Sequence, residues 1–184
     1  SVLIPGFQQL KDNANAAGAL GTGISGSGPS VFALSKGMET AHNVAKAMEE
    51  GAFGLSTGLK YLPGNFSKVD EVITLSKEVS KRGGIYTSHL RDEGLTLFAS
   101  VAEAIEIAEK ATIPVVLTHH KVIGKPMWGK SNQTLAMVDE ARDRGLNIVM
   151  DQYPYNASYT GISVLIPSWA RAGGNKAFIE RLRN

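Results

Sequence analysis

Apolar and polar positions along this chain follow two periods that take turns. From about residue 51, short apolar runs alternate with longer amphipathic ones. "AFGLSTG" (52–58) predicts a short buried strand ending on small polar residues. "VDEVITLSKEVSKRG" (69–83) has apolar residues at helical spacing and stops at Gly83. "GIYTSH" (84–89) predicts a strand, and "LFASVAEAIEIAEKA" (97–111) an amphipathic helix. "IPVVLTHH" (113–120) predicts the next strand. "SNQTLAMVDEARDRG" (131–145) predicts a helix with Ser131 as N-cap and Gly145 as its stop. "LNIVMD" (146–151) predicts a further strand.

The strand ends fall at Thr57, His89, His119 and Asp151, spaced by 32, 30 and 32 residues. That is one βα unit per step, so consecutive strands run parallel. Strands of this kind are expected to be covered on both faces, which accounts for their apolar runs. An open doubly wound sheet and the eight-stranded βα barrel both use this rhythm. Both place ligands at the carboxyl ends of the strands, where His89, His119 and Asp151 lie.

The first 50 residues break the rhythm. "FQQLKDNANAAGAL" (7–20) predicts a helix, "GTGISGSGPS" (21–30) a glycine loop, "VFALS" (31–35) a strand and "METAHNVAKAMEEG" (38–51) another helix. Five of the 20 glycines lie between Gly18 and Gly28. A boundary is expected near residues 45–51. "GTGISG" satisfies the dinucleotide fingerprint GxGxxG, but a helix precedes it and a strand follows, the reverse of the order that motif needs.

Composition narrows the function classes. With 184 residues, 43% hydrophobic and 20% charged, the chain has the make-up of a globular protein. A net charge of +2, with Lys and Arg scattered among acids, leaves no nucleic-acid footprint. No apolar run approaches the roughly 20 residues of a membrane span, and no leader pattern opens the chain. Absence of cysteine excludes disulfides, thiolate zinc sites and cysteine nucleophiles, and fits a reducing cytoplasm.

Half of the four histidines stand together in "VVLTHHK". Imidazoles at the ends of adjacent parallel strands can share one metal ion, and His89 and His119 are one βα unit apart. A pair of hydrogen-bonded histidines is the alternative. His120 faces away if the strand continues, and His42 lies on a helix of the other segment. "HLRDEG" (89–94) crowds Arg91, Asp92 and Glu93 behind His89, either as a solvated loop or as groups that orient a ligand. Lys121 can take an anion. Tyr153 and Tyr155, beyond a strand end, can wall a pocket or simply pack. Two histidines fall short of the three protein ligands of a usual catalytic zinc site.

The blocks "EEGAFGLSTGLKYLPG", "GIYTSHLRDEG", "PVVLTHHKVIGK" and "WGKSNQTLAMVDEARDRGLNIVMDQYPY" resemble, in order, those of the D-aminoacylases, N-acyl-D-amino-acid deacylases of the amidohydrolase superfamily. The resemblance covers roughly residues 48–165. It implies a zinc-dependent βα barrel that hydrolyses the amide of a small N-acyl-D-amino acid. It also implies zinc ligands at His89 and His119, and contacts from Lys121 and Tyr153 to the substrate's carboxylate. The family's early histidine-x-histidine pair, bridging cysteine and late catalytic aspartate have no counterpart here; Asp151 belongs to an earlier strand. About four of eight βα units are expected.

The front, "LIPGFQQLKDNANAAGALGTGISGSGPSVFALSKGMETAHNVAKAME", resembles the carboxyl-terminal part of homoserine kinases of the GHMP kinase superfamily, with "GISGSGPSVFAL" as that superfamily's third motif. The phosphate loop that partners it is missing, so ATP binding is not expected. The chain therefore reads as a chimera: a kinase-like segment over 1–47 and a deacylase-like partial TIM-type βα barrel over 48–184. The expected fold is α/β, four parallel strands preceded by a small α+β segment. The expected function is that of a deacylase fragment inactive by itself. A homoserine-kinase-like phosphotransferase fragment and a scaffold without native activity are the alternatives. Open sheet edges would allow two copies to pair.

Overall fold

The computed structural model describes residues 7–25, 30–34, 39–40, 43, 46, 54–62 and 64–183. His42, the tip of the glycine stretch (26–29) and the expected boundary at 45–51, residue 46 excepted, lie outside the described residues.

Helix α1 (Phe7–Ala16) leads into an antiparallel ribbon, β1 (Gly21–Ser25) against β2 (Ser30–Leu34). Gly21 stands opposite Leu34 and Ser25 opposite Ser30. Residues 21–25 are thus strand, not the loop their glycines suggested. The partner "SVFAL" is rich in β-formers, and its ladder outweighs the weak strand preference of Gly21 and Gly23.

A four-stranded parallel sheet follows: β3 (Gly54–Gly58), β4 (Ile85–His89), β5 (Val115–Leu117) and β6 (Ile148–Met150). The spatial order equals the chain order. A doubly wound sheet reverses its order at a switch point; this one does not. Helices α2 (Val69–Ser80), α3 (Leu97–Ala111) and α4 (Ser131–Asp143) make the connections. The winding is that of a βα barrel, of which four strands are present among the described residues.

The helices cover one face. Tyr86, Ser88, Val115, Leu117 and Ile148 turn toward them and are buried. From α3 come Leu97, Val101, Ala104, Ile105 and Ala108, spaced by three and four residues. The other face is open. Register puts Ser56, Thr87, Val116 and Val149 in one row across the sheet. Val149 in that row is 46% exposed, and Ile85, two residues before Thr87, is 40% exposed. The expectation of strands covered on both faces is therefore corrected: β4 alternates between a covered and an open side.

Helix ends follow the glycines. Gly83 and Gly145 close α2 and α4 with φ of 71° and 89°. Ser131 is the first residue of α4, not its N-cap; Lys130 takes the cap position and makes no side-chain cap bond. α3 has no glycine and ends on Thr112 in the left-handed region (φ 51°, ψ 53°). A β-branched residue is strained there. Thr112→Gly is expected to stabilise the protein by about 1 kcal/mol, read as a raised denaturation midpoint in urea. A lowered midpoint would refute the strain.

Beyond β6 the chain forms a 3-10 turn (Ile162–Leu165) and helices α5 (Ser168–Arg171) and α6 (Gly174–Arg183), the last with no buried residue. No described helix is long and apolar enough to cross a membrane.

Candidate metal centre

Strand β5 stops at Leu117, two residues short of the predicted pair of histidines. Thr118 still donates to the Ser88 carbonyl at 3.0 Å. His119 then enters the left-handed region with φ 44°. Asp151 holds this turn: its carboxylate accepts from the His119 amide and its carbonyl accepts from the His120 amide at 2.8 Å. Strict alternation from Val115 and Leu117 would have sent His119 under the helices. The turn sends it to the open side, against His89.

The two imidazoles meet nitrogen to nitrogen. His89 Nδ1 lies 2.8 Å from His119 Nε2, with ring centroids 4.4 Å apart. Behind both rings sits Glu93, 6% exposed. Its Oε1 is 3.1 Å from His119 Nδ1 and its Oε2 is 3.9 Å from His89 Nε2. Lys121 donates to Glu93 Oε1 and lies 2.7 Å from His119 Nδ1. Tyr61 flanks His89 at 4.8 Å between ring centroids, and Tyr153 flanks His119 at 6.4 Å.

His120 goes the other way. It is buried, and its Nε2 pairs with Thr134 Oγ1 of α4 at 2.9 Å. The four residues singled out from sequence, His89, His119, Lys121 and Tyr153, do come together. Lys121 Nζ lies 5.4 Å from the Tyr153 ring centre. The Tyr153 hydroxyl is buried without a partner among the described residues. The Tyr155 ring lies 6.2 Å from that of Tyr153 between centroids and is 74% exposed, and Tyr159 is fully exposed.

"HLRDEG" divides into scaffold and site. Arg91 holds Glu103 by two bonds of 2.9 and 2.7 Å and binds the carbonyls of Asn65 and Ser67. Asp92 accepts from Lys60 at 2.7 Å and from the Thr96 amide and hydroxyl ahead of α3. Both are structural. Glu93 alone enters the site, and the sequence left it undistinguished from its neighbours. Its four-residue spacing from His89 was the available signal.

Charge in the site is tuned by burial. Desolvation pushes His89 down to about 4, and the attraction of Glu93 opposes this only in part. Burial would lift Glu93, but hydrogen bonds from His119 and Lys121 outweigh it and hold the carboxyl below its usual range. The pocket therefore holds an uncharged imidazole and a carboxylate near neutral pH.

This donor set suits a divalent metal. Among the described residues, His89, Glu93 and His119 each offer a ligand atom, all within 4.8 Å of one another. Imidazoles are common zinc ligands. His89 and His119 would hold such an ion. Glu93 lies on the far side of the rings, where carboxylates commonly orient metal-bound histidines.

Comparison with known proteins resolves the chain into two parts. Residues 1–52 match the family model "GHMP kinases C terminal". A homoserine kinase of Chlorobium phaeovibrioides is 50% identical over 58 residues, 32% of this chain and 18% of the kinase. An N-acyl-D-glutamate deacylase of Alcaligenes xylosoxydans xylosoxydans is 41% identical over 127 residues, 69% of this chain and 25% of the relative. The chain is similar to two enzyme families over two separate segments. The crystal structure of N-acyl-D-glutamate deacylase from Bordetella bronchiseptica, complexed with zinc and a phosphonate inhibitor, superposes with a TM-score of 0.62 at 32% identity. The match covers 65% of this chain and 26% of that one. The chain thus spans about a quarter of the length of the deacylases it matches. The deacylase resemblance and the partial-barrel fold are borne out, and so is the kinase resemblance of the front.

Proposed function

We propose that residues 48–184 form a zinc-binding fragment of the N-acyl-D-amino-acid deacylase type, joined to a homoserine-kinase-like segment over 1–47. His89 and His119 hold the ion. Lys121 and Tyr153 face the carboxylate of a small N-acyl-D-amino acid. The observation that carries this reading is the 2.8 Å approach of two imidazoles from adjacent strand ends, backed by a buried carboxylate.

A bound zinc ion supplies Lewis acidity toward an amide carbonyl and a water acidic enough to attack it. The rest falls to the protein. Burial keeps His89 uncharged, so its lone pair stays available. Glu93 fixes the imidazoles from behind. Lys121 offers positive charge beside the Tyr153 ring. Among the described residues no side chain takes the part of the family's late catalytic aspartate, and the sequence has no cysteine to bridge a second metal. The fragment is therefore a binding site with little or no turnover, and its open sheet edges suit pairing with a second copy.

Calorimetric titration of zinc into the metal-free protein tests this. Saturable one-site binding is expected, lost in a His89→Ala, His119→Ala double variant; equal heats from the two proteins would overturn the reading. At full zinc occupancy, hydrolysis of N-acetyl-D-glutamate is expected to stay near background. Turnover in the ordinary enzyme range of about 1–1000 per second would refute the inactive state.

A further inference from the structure

Asp151 directly follows β6 and takes no part in the donor set, which among the described residues consists of His89, Glu93 and His119. Its bonds to the end of β5 break the pattern of the ladder. Val115 donates to the Asn147 carbonyl at 2.9 Å. Four residues on, in the same register, His119 would donate to the Asp151 carbonyl. The His120 amide takes that carbonyl instead, at 2.8 Å. The displaced His119 amide needs another acceptor, and the Asp151 carboxylate supplies it. The ladder slips by one residue here, and the left-handed His119, φ 44°, absorbs the slip.

The slip sorts the two histidines. His119 meets His89 at 2.8 Å on the open side, while His120 goes under the helices to Thr134 at 2.9 Å. Glu93 and Lys121 also touch His119, but at its ring. They orient the imidazole once the backbone has delivered it. Without the carboxylate, the His119 amide can reclaim the Asp151 carbonyl and leave the left-handed region, which favours that change. Strict alternation then carries its ring away from His89.

We propose that Asp151 is the positioning residue of the metal centre: its side chain, by holding the His119 amide out of register, sets that imidazole against His89. The inference rests on the zinc-binding reading above. Asp151 acts through one amide. Its own amide also donates to the Leu117 carbonyl at 3.2 Å, a backbone bond that a change of side chain leaves in place. Global stability therefore moves little when the side chain is removed, because a lost hydrogen bond and a relieved backbone have opposite signs. Metal affinity moves far more, since an outer partner of a metal ligand is typically worth about 10–100-fold.

Zinc titrations by calorimetry on Asp151→Ala, Asp151→Asn and Asp151→Glu separate position from charge. Asparagine keeps an acceptor at the same reach without the charge; glutamate keeps the charge but shifts the acceptor by a methylene group. Asp151→Ala and Asp151→Glu are expected to bind zinc about 10–100-fold more weakly than wild type, and Asp151→Asn to stay close to wild type. In the metal-free protein, the nuclear Overhauser contact between the His89 and His119 rings is expected to survive in Asp151→Asn and to vanish in Asp151→Ala. Urea midpoints should differ little among all four proteins. Wild-type zinc affinity in Asp151→Ala would overturn the positioning role and leave the zinc site standing. So would a weak Asp151→Asn beside a fully binding Asp151→Glu, because charge alone would then be at work. Should Asp151→Ala fold poorly, the comparison of Asn with Glu still decides. A wild type that binds no zinc would overturn the zinc reading itself, and this inference with it.

Discussion

Leu117→Ala is expected to lower the unfolding free energy by about 3 kcal/mol, while Val116→Ala, one residue earlier on the same strand, costs about 1 kcal/mol or less. Leu117 is fully buried beneath the helices, between the registers of Ser88 and Met150. Removing its three distal carbons leaves a cavity that the rigid parallel ladder cannot close. Val116 lies in the row on the open face of the sheet and is only half-buried. A single domain is stable by about 5–15 kcal/mol, and a barrel sector with one bare face belongs at the lower end. Leu117→Ala thus removes a large share of the total, and with it the strand end that presents His119. Urea unfolding followed by circular dichroism measures both variants. Comparable losses at the two positions would mean that the open face is covered in solution, by a second copy or by the front segment.

The asymmetry between these neighbours shows what could be read in the sequence. The spacing of Thr57, His89, His119 and Asp151 disclosed the βα rhythm because each unit carries its own helix period and its own stop. Helix α3 came out at its predicted bounds because Leu97, Val101, Ala104 and Ala108 form one uninterrupted stripe. The bare face was hidden: apolar strands look alike whether one side or both are covered, and only the winding order decides. The turn at His119 was hidden too. A histidine with positive φ has no sequence signature; it exists because Asp151, 32 residues away, holds the two amides around it. Glu93 was obscured by company. Arg91, Asp92 and Glu93 are equivalent on paper, and only the packing of Glu103 and Lys60 against the first two leaves the third to the site.

The same buried group makes the metal-free protein sensitive to acid. His89 has a folded pKa of about 4, against about 6.5 in an unfolded chain. Between those values the unfolded chain holds the proton and the folded one does not. Stability is therefore fully present above about pH 6.5, falls as the pH drops, and levels off below about pH 4, at up to about 1.4 kcal/mol per pH unit and about 3 kcal/mol in all. Glu93 acts in the same sense lower down: its carboxyl is held below the usual range, so protonating it in acid removes the stability gained from His119 and Lys121. Above about pH 4 the loss from His89 is a large share of the stability of a marginal protein, and the loss from Glu93 follows in stronger acid. Urea midpoints measured across this range should decline steeply for wild type and more gently for His89→Gln, which keeps a neutral polar group in place of the titrating ring. A wild-type midpoint unchanged between about pH 7 and about pH 5 would mean that the imidazole meets water in the folded state, and the closed pocket that makes His89 a ready metal ligand would have to be given up.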